Sequence, residues 1–463
     1  MKAVLLVDFG STYTKVTAVD VDEEKLLGTA QSYTTIETDI NDGLTDALAK
    51  LRSEIGDIEF AETYACSSAA GGLRMVTSGL VPELTSEAAR MASLGAGAKL
   101  VGVYSYEMTE DDIDDIIALK PDIFLLVGGT DGGNKACIVH NAELLKRLPE
   151  SIPIIIAGNR VAAKECERLL EGHVTFICPN VMPKFGVLNI DEVQSKIREI
   201  FLDRIISAKG LTAAAKLMDD IIMPTPAAVL KAMTLLSDGC EGELGIGELV
   251  GVDVGGATTD VYSIADGMPR RSDTVYKGLP EPYAKRTVEG DIGMRYSIHG
   301  IVEAASIDRI AELADMSAER AEELVDMLSQ NTETLPGDNE ELEALDYALA
   351  CTAVETAVKR HAGTMEETYT MMGKAYVQAG KDLRDVKQIV VTGGSLIHTK
   401  KTGEIASHAL ADEKDPGSLR PLEATVRVDR KYILAAMGLL SQHYTGAALR
   451  IMKRELTDDG YYK

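Results

Sequence analysis

Two short stretches carry the residue types that grip a polyphosphate. One is Asp8-Phe9-Gly10-Ser11-Thr12-Tyr13-Thr14-Lys15, the other Asp253-Val254-Gly255-Gly256-Ala257-Thr258-Thr259-Asp260. A triphosphate with its metal needs several donors aimed at oxygens, little side-chain bulk, and carboxylates that position a hydrated cation. Glycine-rich turns supply the first two, because successive backbone N–H groups form an anion nest. In the first stretch Gly10 admits close approach, Ser11 and Thr12 add hydroxyls, and Lys15 can reach a phosphate as a point charge. In the second, Gly255, Gly256, Ala257, Thr258 and Thr259 can do the same. Asp8 and Asp253 end equivalent strands, where two carboxylates can hold Mg²⁺ through water, since Mg²⁺ dehydrates reluctantly. Either stretch alone reads as a tight hairpin turn. Their duplication in register, with Asp at the same strand end, is what points to a nucleotide site.

The elements that must position these turns are also duplicated. Val4 to Asp8 is an apolar run followed by a β-branched strand over Thr14 to Val21, and Leu249 to Ser263 repeats the pattern. Between the copies, apolar runs near residue 100 and at 122–129, 152–159 and 174–180 alternate with helical stretches beginning near Thr85, Thr109, Ala136 and Arg160. Fully apolar strands alternating with helices predict a parallel sheet covered on both faces. Asp191 to Leu217 reads as helix, and Ala227 to Ser237 restarts one after Pro224 and Pro226. Residues 300–380 read as largely helical around an acidic surface loop, PGDNEELE. Lys387 to Thr392 is a further strand, ending in Gly393-Gly394-Ser395, and Tyr432 to His443 an apolar helix. Leu126 to Gly133, LVGGTDGG, reads as a structural turn or as a ligand crevice at a sheet's carboxyl edge.

Bulk properties narrow the classes. The chain has 463 residues, room for two or more domains at roughly 100–200 residues each. Lys and Arg total 47 against 73 Asp and Glu, a net charge of -26 that repels nucleic acid and anionic lipid. The six cysteines form no CxxC pair and the seven histidines no zinc spacing, so reduced core thiols in the cytoplasm are expected. No apolar window approaches a membrane span, and the first residues read as a strand rather than a signal peptide.

The two turns resemble the phosphate-1 and phosphate-2 motifs of the ASKHA superfamily of acetate and sugar kinases, Hsp70 and actin. Pro224-Thr225-Pro226-Ala227-Ala228 resembles the start of its first connecting helix, and Asp429 to Leu440 its second. Val390 to Ser395, with Gly393, Gly394 and Ser395, resembles the adenosine motif, and Glu289-Gly290-Asp291 an acidic segment after phosphate-2. The resemblance implies an α/β fold with two RNase-H-like domains around Mg–ATP. On that frame residues 1–82 with 181–245 form the first domain, 83–180 an inserted parallel α/β subdomain, and 246–463 the second domain, with a largely helical insert about 300–380.

Within the superfamily, GGTDGGN at Gly128 to Asn134, DVGGATTDV at Asp253 to Val261 and VEGDIGMR at Val288 to Arg295 resemble the MutL (GlmL) family. These are accessory proteins encoded beside adenosylcobalamin-dependent glutamate mutase, unrelated to the mismatch-repair protein sharing the first name. The resemblance implies a cytoplasmic, slow ATPase that reactivates a glutamate mutase or related aminomutase, with ATP and Mg²⁺ as cofactors and neither nucleic acid nor membrane as partner. It implies Asp8 and Asp253 as catalytic and metal-holding residues. A small-molecule kinase is the first alternative, although no aspartate base facing a substrate hydroxyl can be picked out. An actin-like assembly ATPase is the second.

Overall fold

A computed structural model describes residues 1–10, 12–34, 40–68, 73–208, 220–371 and 373–463. They divide into two compact units. The first comprises Met1–Ala232, Gly278–Pro280 and Leu434–Ile451, and the second Met233–Lys277, Glu281–Ile433 and Met452–Lys463.

The first unit begins with β1 (Ala3–Phe9), buried at every residue, with Asp8 the one charged side chain in an otherwise apolar run. β2 (Tyr13–Asp20) returns antiparallel to it, and β3 (Lys25–Tyr33) runs antiparallel to β2. Helix Ile40–Ile55 places Leu44, Ala47 and Leu51 on one face, and these pack with Leu5, Val7, Val16 and Ala18. β4 (Glu62–Ser67) then joins β1 in parallel.

The chain next builds a separate sheet from β5 (Arg74–Gly79), β6 (Lys99–Ser105), β7 (Ile123–Leu126), β8 (Ile154–Ile156) and β9 (Thr175–Ile177). Every pairing is parallel and the order is β6-β5-β7-β8-β9. Helices Glu87–Gly95, Glu110–Leu119, Ala136–Leu145 and Ala163–Leu169 alternate with the strands. Its first strand lies ahead of residue 83. Arg-Met-Val-Thr-Ser-Gly holds only two large apolar residues, too few to register as a buried strand from periodicity. Helix Asp191–Ala208 follows, and the continuation to Leu217 read from the sequence falls outside the described residues. β10 (Asp220–Pro224) pairs in parallel with β4, completing the order β10-β4-β1-β2-β3. Helix Thr225–Asp238 starts at once after it.

The second unit contains the short hairpin of β11 (Gly239–Cys240) and β12 (Glu243–Leu244), then β13 (Leu249–Val254), β14 (Thr259–Ile264), β15 (Thr274–Lys277) and β16 (Ala284–Glu289). Four helices follow, Ile298–Ala305, Ile307–Leu313, Ala318–Gln330 and Glu340–His361. After them come β17 (Thr364–Thr370), β18 (Gly373–Ala379), β19 (Gln388–Thr392), β20 (Ala424–Val428) and β21 (Thr457–Tyr462). The main sheet has the order β16-β14-β13-β19-β20-β21.

Strand for strand, this repeats the first sheet. β13, β14, β16, β19 and β20 take the places of β1, β2, β3, β4 and β10, with the same parallel and antiparallel pairings. β21 is an added edge. Each sheet has the RNase-H-like connectivity, so the protein is an α/β fold built on two such sheets.

Two readings of residues 300–380 are corrected. The helices stop at His361, and Thr364–Thr370 forms an antiparallel hairpin with Gly373–Ala379. Threonine and tyrosine in those runs favour strand over helix. The acidic PGDNEELE segment is not all loop either. Asn339 caps helix Glu340–His361 by accepting from the N–H groups of Glu341 and Leu342, and Glu340, Glu341 and Glu343 occupy its first turn, where the helix dipole favours negative charge.

Candidate functional site: two matched phosphate turns

At the end of β1 the N–H of Gly10 donates to the Tyr13 carbonyl at 3.1 Å. A Cβ on Gly10 would stand 2.6 Å from that oxygen, so this turn closes only around glycine. Asp8 lies opposite Lys15 in the β1–β2 register, with Lys15 Nζ 3.8 Å from Asp8 Oδ2. Its other oxygen, Oδ1, accepts from Thr225 Oγ1 at 2.6 Å and from Cys66 Sγ at 3.4 Å. Cys66 is the β4 residue paired with Asp8, and Thr225 opens the helix after β10. Three neighbouring elements thus fix one buried carboxylate. Burial, then the charge of Asp8, push the Cys66 thiol well above its ordinary range, which leaves it a neutral donor rather than a nucleophile. The Gly10 and Thr12 carbonyls accept from Thr34 Oγ1 and Thr34 N, both at 2.9 Å, and the Thr12 side chain is exposed. Ser11 lies outside the described residues.

The turn after β13 repeats this construction. Gly255, two residues beyond Asp253 as Gly10 is beyond Asp8, donates its N–H to the Thr258 carbonyl at 2.9 Å. The segment after β16 folds back onto the turn. Met294 N donates to Gly255 O at 3.1 Å, Arg295 N and Tyr296 N to Gly256 O at 2.9 Å each, and Ser297 Oγ to Ala257 O at 2.7 Å. With those carbonyls tied inward, the N–H groups of Gly256, Ala257 and Thr258 have no acceptor among the described residues. Gly256 and Ala257 are exposed and Thr258 half-buried. That is the arrangement an anion nest requires. Thr259 is buried, its hydroxyl bound to Ile292 O at 3.0 Å, so it braces the turn rather than facing solvent. The folded-back segment is itself anchored by Arg295, which holds Asp346 at 2.7 Å and 2.9 Å.

The equivalent of Lys15 in this unit is Asp260, opposite Asp253 in register. Its carboxylate is matched by the buried Arg286, with Nε at 2.8 Å and Nη2 at 2.6 Å.

Gly393 follows Thr392, the β19 partner of Asp253. Its φ is +100°, and a Cβ there would stand 2.4 Å from Val254 O and 2.8 Å from Asp253 Oδ1. Gly394 is different: a Cβ there would meet nothing within 4 Å. Ser395 is half-buried in the short helix Gly394–Ile397. Asp429, directly after β20, accepts from Thr392 Oγ1 at 3.3 Å and from Ile433 N at 2.9 Å. Thr225 and Asp429 thus occupy matching places, each the polar residue that leads from a fifth strand into a helix and touches the site strands.

Cys66, Thr225, Arg286 and the back-bonding residues 294–297 are contributors that motif reading passed over. Thr225 had a visible signal, a hydroxyl at a helix start directly after a strand. The others act through pairings that only register reveals. Glu289 and Asp291 of the acidic segment both bind Arg360, at 2.8 Å and 2.9 Å, a structural clamp. The LVGGTDGG loop is internally satisfied. Asn159 bonds Gly132 N, Gly133 O and Asn134 O, and Asn180 bonds Gly129 O and Asp131. Among the described residues no three His, Cys, Asp or Glu side chains cluster as a direct metal-ligand set, and no helix is long and apolar enough to cross a membrane.

Two RNase-H-like sheets, each ending its first strand in Asp-X-Gly and the same hydrogen-bonded turn, define the ASKHA class of folds. Within that class the chain belongs to the MutL protein family, whose family model matches residues 4–456. Protein MutL of Clostridium tetanomorphum is 45% identical over 460 residues, covering 98% of this chain and 99% of the relative. Among solved structures, a gluconate kinase from Lactobacillus acidophilus aligns over 100% of this chain and 93% of its own at 11% identity, with a TM-score of 0.39. A glycerol dehydratase reactivase aligns over 95% and 99%, at 11% identity and a TM-score of 0.36. Structural likeness this weak carries no argument about activity.

Proposed function

We propose that this protein is a slow ATPase that reactivates an adenosylcobalamin-dependent amino-acid mutase of the glutamate mutase type, in the cytoplasm. The observation that carries the nucleotide part is the duplicated Asp-X-Gly turn, set at the same strand position in two sheets of identical connectivity. Membership of the MutL family supports the accessory role, and the resemblance of that family's members to mutase-linked proteins supports the choice of partner.

On this reading Gly10, Ser11, Thr12 and Lys15 contact the phosphates, as do Gly255, Gly256, Ala257 and Thr258, while Thr259 braces the second turn. Gly393, Gly394 and Ser395 lie along the nucleoside. Asp8 and Asp253 would hold a hydrated Mg²⁺, which would offset charge on the phosphate oxygens. One of the two carboxylates orients the attacking water. Thr225 and Cys66 keep Asp8 in one rotamer, and the 294–297 segment keeps the amides of its turn aimed outward. ATP affects a partner only by binding two conformations unequally.

The parallel α/β region over 83–180 is the proposed mutase-binding surface. Residues following the carboxyl ends of its strands include exposed Tyr106 and Val161. Phe185 is exposed on the next loop, which meets Asp131 through Pro183 O. Apolar side chains gathered at one edge suit protein contact.

The test measures ATPase activity and recovery of cobalamin-inactivated glutamate or ornithine mutase together. Recovery should need Mg–ATP and be lost in Asp8→Ala and Asp253→Ala. A Tyr106→Asp/Phe185→Asp double variant should keep ATPase activity and lose mutase binding. ATP hydrolysis without recovery of any mutase would overturn the reactivase reading and redirect the search to metabolite substrates of a kinase.

A further inference from the structure

The separate parallel sheet of the first unit ends in a strand with an open edge. β9 is last in the order β6-β5-β7-β8-β9, and β8 alone pairs with it. Ile154 N donates to Val174 O and Cys178 N to Ile156 O, both at 2.9 Å. A parallel ladder spends alternate residues of a strand on one neighbour, so the backbone groups of Val174, Phe176 and Cys178 face β8. Thr175 and Ile177 therefore turn their N–H and C=O groups to the other side, where they have no partner among the described residues. Charged side chains usually blunt such an edge. Residues 173–178 include no Lys, Arg, Asp or Glu, and Val174 and Ile177 are exposed.

A groove of about 360 Å³ runs beside this edge. Ile177, Cys178 and Pro179 form one wall, and Glu192, Ser195 and Glu199 of helix Asp191–Ala208 the other. Positions i, i+3 and i+7 share one stripe of a helix. Lys196, on the same stripe, ties the walls together, with Nζ 5.3 Å from the centre of the Phe176 ring. It also pairs with Glu199 at 2.5 Å. Asp191 and Glu192 border the groove too, exposed and without a salt bridge among the described residues. Burial raises the Cys178 thiol above its ordinary range; Lys196 opposes the rise, and Glu192 and Glu199 add to it, so both carboxylates are felt at the strand.

We infer that this groove takes an extended segment of a partner protein, with basic and apolar residues in alternation, which adds to β9 as a further strand. The open N–H and C=O groups of Thr175 and Ile177 supply main-chain bonds, and an added strand presents every second side chain to one face. Asp191 and Glu192 select lysine or arginine there, while Ile177 and Pro179 offer apolar contact. A compact ligand would fill the groove and leave the open edge unused. A second copy of this chain would bring the same carboxylates and a net charge of -26 against them. The groove shares no residue with either phosphate turn, so it stands independently of the nucleotide reading.

Fluorescence polarisation of the full chain with a labelled octapeptide alternating lysine and valine tests it. The controls are an octapeptide alternating glutamate and valine, and the lysine–valine peptide N-methylated at every second residue. The lysine–valine peptide should bind saturably, with each control at least tenfold weaker, and hydrogen exchange should show new protection over residues 174–178. Ile177→Pro removes an N–H that points away from β8, which an edge strand tolerates, so the melting temperature should hold while affinity falls at least tenfold. Glu192→Lys alters no strand bond, and should weaken the lysine–valine peptide and strengthen the glutamate–valine one. Absence of saturable binding, equal affinity for the two charge versions, or unchanged affinity in either folded variant overturns the proposal. So does a dimer in sedimentation that Ile177→Pro abolishes, which would assign the edge to a second copy.

Discussion

Gly393→Ala and Gly394→Ala should have opposite consequences although the residues are adjacent. At Gly393 the backbone has φ +100° and ψ 143°, a region essentially reserved for glycine, where a side chain costs about 1–3 kcal/mol. The added Cβ would also stand 2.4 Å and 2.7 Å from Val254 O and N, and 2.8 Å from Asp253 Oδ1. Two of those three neighbours are backbone of a central strand and cannot rotate away, so overpacking adds about 1–3 kcal/mol more. Reduced freedom of the unfolded chain returns about 0.4–1 kcal/mol. The net loss is on the order of 1–6 kcal/mol, a large fraction of a typical stability of about 5–15 kcal/mol. Relief of the clash would push Val254 and Asp253 away from the turn, so nucleotide affinity should fall with stability. Gly394 begins a helical turn with open space around it, and alanine there should be neutral or stabilising by about 0.5–1 kcal/mol. Urea unfolding followed by tryptophan-free probes such as far-UV dichroism, paired with titration of a fluorescent ATP analogue, reads both quantities. Equal unfolding midpoints for the two variants, or full analogue binding by Gly393→Ala, would refute the close-approach argument.

Other outcomes follow from the same contacts. Asp8→Asn should reduce ATPase activity by about a hundredfold, the scale expected when one preorganised charge is removed from a catalytic site. Thr225→Val strands one lone pair of a buried carboxylate, and should cost about 1–2 kcal/mol of stability while lowering kcat more than nucleotide affinity; steady-state kinetics and melting separate these effects. Lys381 is fully buried, and desolvation followed by the charge of Lys285 lowers its pKa to about 7. Below that value both folded and unfolded chains carry the proton. Between about 7 and the ordinary lysine value the unfolded chain binds more, so this group makes stability rise with pH by up to about 1.4 kcal/mol per unit. Lys381→Met should flatten the unfolding free energy between pH 7 and 9 relative to the unsubstituted chain; parallel curves would show that the lysine does not titrate there. In a thiol titration under native conditions, Cys178 and Cys240 should react first, because Cys66, Cys137, Cys166 and Cys351 are buried. Rapid modification of Cys66 would contradict its place beside Asp8.

Local pattern carried a good part of this fold. β7 and β8 are unbroken apolar runs and β1 is one interrupted only by Asp8; all three are buried throughout, and that leaves little choice but a central strand. The two Asp-X-Gly turns are legible because glycine is demanded by a contact within four residues, as Gly10 against Tyr13 O shows. Arg74–Gly79 and the hairpin at 364–379 were not legible, since their strand character comes from neighbours rather than from their own alternation.

The sequence by itself determined which residues could bind phosphate, that the unit carrying them occurs twice, and that the chain is strongly acidic. What only the tertiary structure decided is how each carboxylate is held. Asp8 meets Cys66 from 58 positions away and Thr225 from 217 positions away, and Arg286 neutralises Asp260 across 26. Strand register sets the first and last of these, and the placement of the helix after β10 sets the second. Register depends on the packing of whole sheet faces, so no short window of sequence contains it.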